Sequence, residues 1–189
     1  MARNFAAGDY IEVPSNAVFD GSVGSIACWF KYTQTAANII VMCRFNAANS
    51  RSGIGFAVNN PSTGNVQCFA YDSANQAVGL TTAGLSLNDG AWHHFGASFA
   101  LANGSAQALY IDGVQKTTGT ASRVWAFASQ VIRMARPQDS FWTSFVGDIA
   151  EIAWWNATLT ADEFKALGSG ILPFRVRPAA LQLYLPLWN

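Results

Sequence analysis

The chain offers few side chains equipped for chemistry. Asp148 and Glu151 are the only close carboxylate pair on a stretch that reads as a strand. Two carboxylates flanking a bond can act as acid and nucleophile in its hydrolysis. On an irregular strand they can instead satisfy local backbone N–H groups, and that second role is the expected one. His93 and His94 are adjacent. A strand sends neighbours to opposite faces, so the two do not easily share a metal ion, and no third ligand stands at a suitable spacing. His94 reads as a hydrogen-bonded core residue. Cys28, Cys43 and Cys68 sit singly in apolar runs, none at C-x-x-C spacing, and read as reduced, buried thiols. Asp20, Asp72, Asp89 and Asp139 lack the periodicity of a calcium loop and read as turn residues. No Ser or Cys occupies a nucleophile elbow. No catalytic residue, metal ligand or cofactor site is therefore expected.

Aromatic residues in loops are the better candidates for contact. Trp125, Phe141 and Trp142 lie in or beside turn-rich segments. An exposed ring can stack on a flat apolar surface of a ligand or fill a partner's pocket. Buried, the same rings would close the ends of the fold. Phe174 and Arg175, on a stretch bounded by Pro173 and Pro178, complete the candidate contact residues.

The elements that must position these residues are strands. Ala91–Ala100 and Gln107–Gln115 read as strand-like runs around Asn103-Gly104 and Asp112-Gly113. Asp-Gly between alternating apolar residues suits a type I′ turn, so three successive strands form an antiparallel meander. Upstream, Tyr10–Val13, Ser25–Tyr32, Asn38–Phe45, Gly53–Asn59, Val66–Tyr71 and Gln76–Thr82 read as strands. In Asn38–Phe45 an unbroken alternation sets Ile39, Val41, Cys43 and Phe45 against Ile40, Met42 and Arg44, a pattern for a strand covered on both faces. In Gly53–Asn59, Gly53, Gly55 and Ala57 leave a shallow face that another sheet or a ligand could approach. Downstream come Val124–Phe127, Gln130–Arg136 and Phe145–Trp155. In the last of these, a bulge near Ala150-Glu151 is needed to bring Ile149, Ile152 and Trp154 to one face. Leu159–Gly168 reads as the one helix, with Thr160 and Glu163 forming a capping box and Gly168 at its end. Leu181, Leu183, Leu185 and Leu187 alternate as a final strand. Trp92 is read as core, so Trp92→Ala should cost about 3–5 kcal/mol.

The composition excludes some partners. Eleven Lys and Arg balance eleven Asp and Glu, and charged residues are 12% of the chain, where about 25% is usual. Nothing points to nucleic acid or to an anionic membrane. No apolar run is long enough to insert in a bilayer, and the first residues lack the apolar core of a signal peptide. Hydrophobic residues reach 51%, with seven Trp and thirteen Phe. Either a thick core absorbs these side chains or another subunit covers them.

The ordered segments resemble a known family. Trp92-His93-His94-Phe95 followed by Leu109-Tyr110-Ile111-Asp112-Gly113 is similar to the "W-H-H-V-A … L-Y-V-D-G" core of laminin-G-like, concanavalin-A-like jelly rolls. Phe145–Asn156 resembles its "F-x-G-x-I-D-E-V-x-I-W-N", with Ala150 where the pattern has Asp. Leu159–Glu163 matches the helix that follows. The resemblance implies an all-β fold, an antiparallel two-sheet sandwich with one short helix near the C-terminus. Residues 1–170 would form the jelly-roll domain, and 171–189 an arm and final strand packed on it. Glucanases of the superfamily carry "E-x-D-x-x-E". Asp148 and Glu151 match the last two acids, but the first falls on Val146, which implies no hydrolase. The tail from Ile171 to Asn189 resembles segments that follow such domains in bacteriophage virion proteins. The expectation is a non-catalytic virion-associated structural or capsid decoration protein, made in the host cytoplasm without a signal peptide. It would attach to other virion proteins or to copies of itself by burying roughly 800 Å² per partner. The alternative is a lectin-like module that binds a glycan.

Overall fold

The computed structural model describes residues 2–45, 53–71, 77–121, 129–137 and 141–187. The strands are β1 (Arg3–Phe5), β2 (Ile11–Val13), β3 (Val23–Tyr32), β4 (Ile39–Phe45), β5 (Gly53–Val58), β6 (Val66–Tyr71), β7 (Ala77–Thr82), β8 (His93–Ala100), β9 (Ala106–Ile111), β10 (Val114–Thr120), β11 (Ile132–Met134), β12 (Thr143–Ser144), β13 (Gly147–Trp155) and β14 (Leu181–Leu185). Helix α1 (Ala161–Gly168) lies between the last two. The strands form two seven-stranded sheets. The first has the order β1-β13-β3-β8-β9-β10, with β14 also on β13. The second has the order β2-β11-β4-β5-β6-β7, with β12 in parallel on β4.

The meander is present as β8, β9 and β10. Asp112 and Gly113 both take positive φ (53° and 72°) between Ile111 and Val114, as a type I′ turn requires. Alternation puts Ile26, Cys28, Phe30 and Tyr32 of β3, Ile54, Phe56 and Val58 of β5, and Phe95, Ala97 and Phe99 of β8 into the space between the sheets. Phe56 stacks on Phe95 across that space, with centroids 3.5 Å apart. Each such fully buried side chain contributes about 1.5–3 kcal/mol.

Two irregularities set the faces. In β13 the register shifts between Ala150 and Ala153, and Glu151 takes φ +54°. Ile149, Ile152 and Trp154 therefore all reach the core. In β4 a shift between Ile40 and Met42 breaks the expected alternation. Ile39, Val41 and Met42 join the core, while Ile40 and Cys43 face outward. The sequence expectation for Met42 and Cys43 is thus reversed, because the bulge advances the side-chain phase by one residue.

Trp92 is a second correction. β8 begins at His93, so Trp92 precedes the strand and is 40% exposed. Many of the described apolar residues are buried outside the inter-sheet core, because both outer faces carry clusters of their own. On the first sheet, Ala27, Tyr110, Ala153 and Trp155 are covered by Leu159, Phe164, Leu167 and Val176. Thr160 Oγ1 accepts from the Glu163 N–H, and Glu163 returns a bond to the Thr160 N–H. This reciprocal cap fixes where α1 starts. On the second sheet, Ile40, Cys43, Ala57, Phe69 and Trp142 form the outer cluster.

Candidate binding site

The two acids of β13 have different partners. Asp148 accepts from Asn4 Nδ2 at 2.9 Å and pairs with Lys31 at 3.6 Å. Glu151 accepts from the Tyr184 hydroxyl, and its N–H donates to Pro186 O. Burial, then Glu151, raises the Tyr184 pKa. Each acid thus ties a neighbouring segment to β13.

The histidines diverge as expected. His93 lies between Asp112 (3.0 Å from Nδ1) and Asp89 (3.3 Å from Nε2). The two carboxylates meet opposite nitrogens, and no cluster able to hold a metal ion occurs among the described residues. His94 is buried against Trp29, with centroids 5.2 Å apart. Its backbone N–H donates to Asp112, and among the described residues ring Nδ1 has no hydrogen-bond partner. The three cysteines are buried and form no disulfide, and burial pushes the Cys68 thiol up to about 12. Asp20 and Asp89 serve local structure, Asp20 on Arg44 and Asp89 on the Ala91 N–H. Asp72 and Asp139 lie outside the described residues, as do Val124–Phe127 and its Trp125.

Phe141 and Trp142 meet on the outer face of the second sheet. Cross-strand register lines up two rows there. One is Ile40, Ala57, Gln67 and Thr81; the next is Glu12, Arg133, Cys43, Gly55, Phe69 and Gly79. The shallow face read around Gly55 lies in the second row, where Gly55 and Gly79 flank Phe69. A Cβ on Gly79 would lie 2.6 Å from the Phe69 Cα. Trp142 stacks flat on Phe69, with centroids 4.8 Å apart and 14° between planes. It is 6% exposed, so it is no stacking platform itself, because Phe69 and the small residues draw its ring onto the sheet. Phe141 stands edge-on to Trp142 at 5.1 Å and is 52% exposed. Beside them runs a polar chain. Asn60 Nδ2 donates to Gln67 Oε1, and Gln67 Nε2 donates to Thr81 Oγ1 at 3.0 Å. At the other end, Arg133 Nε donates to Glu12 at 2.6 Å under the ring of Tyr10.

Sequence reasoning missed Gln67, Thr81, Tyr10 and Arg133, because their placement follows from strand register. An outward-facing Phe69 between glycines was the available signal. Phe174 (44% exposed) and Arg175 lie apart from this face, Phe174 beside Tyr184 of β14. A separate groove of about 450 Å³ on the first sheet is lined by Ser98, Ala108, Thr118, Thr120 and Thr158, without an aromatic ring.

A family model described as the concanavalin A-like lectin/glucanases superfamily (Laminin_G_3) matches residues 5–165. Among solved structures, domain 4 of AbnA, an extracellular arabinanase from Geobacillus stearothermophilus in complex with arabinotriose, is similar at 20% identity. Its TM-score is 0.69, over 88% of this chain and 76% of that one. A putative carbohydrate binding protein from Bacteroides ovatus is similar at 16% identity and TM-score 0.70, over 98% of this chain and 50% of that one. Mouse laminin α1 domains LG4-5 align at 15% identity and TM-score 0.62, over 84% of this chain and 42% of that one. The chain thus spans half or less of the last two. No curated protein matches it. At these identities the likeness is one of fold.

Proposed function

The chain belongs to the concanavalin A-like lectin/glucanase superfamily, and we propose that it is a non-catalytic sugar-binding module. Its platform is the outer face of the second sheet. One observation carries this reading: the exposed Phe141 ring is braced by Trp142 stacked on Phe69. A ring held in place loses little entropy when a sugar face stacks on it. Gln67 and Thr81 offer amide and hydroxyl groups beside it, the mixture that orients a polyol. A related fold in complex with arabinotriose agrees with this reading. The structural duties of Asp148 and Glu151 favour binding without turnover.

Calorimetric titration with a panel of oligosaccharides, arabinotriose included, tests it. Phe141→Ala should weaken binding about tenfold without lowering the melting temperature. Unchanged affinity in that variant would remove the platform.

A second reading is the attachment role of a virion structural or decoration protein. Ile171 and Phe174, 46% and 44% exposed beside Arg175, favour it, since they leave apolar surface on the C-terminal arm. Light scattering should then find an oligomer that dissociates on Phe174→Ser; a monomer at every concentration would end this reading.

A further inference from the structure

Resting on the sugar-platform reading and narrowing it, we infer that the ligand is an anionic sugar, whose carboxylate or sulfate is held by Arg136. Two guanidinium groups converge on one ring. Arg133 Cζ lies 5.0 Å and Arg136 Cζ 5.5 Å from the centroid of Tyr10. Each is attracted by the ring face, but the two cations repel each other. Glu12 balances one of them, through Arg133. Among the described residues no carboxylate pairs with Arg136, which is exposed. Among the described residues the cluster therefore carries one positive charge in excess, on a chain whose net charge is zero.

The position of this charge joins it to the platform. The Cys43 thiol donates to Arg136 O at 3.9 Å, and Cys43 belongs to the outer cluster that seats Trp142. The Arg136 backbone thus adjoins the cluster that holds the ring bracing Phe141. Tyr10 is also exposed, so a second aromatic stands beside the cation. A sugar stacked on Phe141 and extending toward Tyr10 would bring an acidic substituent to a guanidinium already oriented by its ring. A planar fork of N–H donors suits carboxylate and sulfate oxygens alike.

Affinity electrophoresis of the whole chain tests this with polygalacturonate (carboxylate), heparin (sulfate) and arabinan (neutral), each at low and raised salt. The wild type should be retarded by at least one acidic polymer and released by salt. The polymer that retards it distinguishes carboxylate from sulfate. Arg136→Gln should weaken that retention about tenfold while leaving the melting temperature unchanged. Retention unaffected by Arg136→Gln, or stronger on arabinan than on both acidic polymers, overturns the inference. If Phe141→Ala still abolishes retention in that case, the sugar platform survives without its anionic specificity. A wild type retarded by no polymer overturns both.

Discussion

Gly96 and Phe164 are fitted to each other: a Cβ built on Gly96 would lie 2.4 Å from the Phe164 ring. The ring cannot retreat. It is fully buried, and Tyr110 stacks on it with centroids 4.3 Å apart. The absence of a side chain on β8 is what lets α1 lie against the first sheet. Gly96→Ala should therefore destabilise the fold by about 1–3 kcal/mol, as overpacking does. A melting temperature equal to wild type would show that the helix can shift at no cost.

Two tryptophans separate burial from composition. Trp142→Ala should cost about 3–5 kcal/mol, because it empties a site between Phe69 and the small residues around it. Trp92→Ala should cost under about 1 kcal/mol, because Trp92 is 40% exposed ahead of β8. Denaturant melts of both variants check the contrast. Equal losses would contradict the start of β8 at His93.

The same contrast shows what the sequence can carry. The turn at Asp112-Gly113 was legible because turn type follows from two local residues. The β13 bulge was legible because Ile149 and Ile152 are out of phase for a strand, which marks the fault. The β4 bulge left no mark: in Ile39-Ile40-Val41-Met42 every phase is apolar, so a slip changes nothing visible. Trp92 was misread because a large apolar side chain next to a strand looks the same whether the strand includes it or not. The binding face was half legible. Phe141-Trp142 stood out as loop aromatics, but which ring is buried depends on Phe69, far away in sequence. The meeting of Tyr10 with Arg133 requires β2 to pair with β11, a relation no local pattern encodes.

The buried His94 makes stability depend on pH. Burial lowers its pKa to about 4 from an ordinary value of 6.5, with Asp112 opposing. The native chain thus refuses a proton that the unfolded chain accepts between those values. Stability should be complete above pH 6.5, fall as pH drops toward 4, and level off below. The loss attributable to His94 is about 3 kcal/mol. His94→Phe should flatten this part of the curve in urea melts taken from pH 4 to 7. An unchanged slope would assign the acid sensitivity to other groups.

Arg44 and Asp20 should prove strongly coupled. The Arg44 guanidinium is buried between Phe19 and Trp154, its Cζ 5.9 and 5.8 Å from their ring centroids. Nη1 donates to Phe19 O at 2.6 Å, Nε to Gln130 O at 3.1 Å, and Nη2 to the Asp20 carboxylate. Burial lowers the Arg44 pKa, and the bond to Asp20 opposes that. Asp20→Ala leaves the cation in the core without its counter-charge, at an expected cost of about 3–5 kcal/mol. Arg44→Met removes the cation and leaves Asp20 partly in water, so it should cost less. Asp20→Ala made in the R44M background should then cost little more, since its target is gone. A double-mutant cycle by thermal melting measures this directly. If Asp20→Ala costs the same in both backgrounds, Asp20 acts through its loop and not through Arg44.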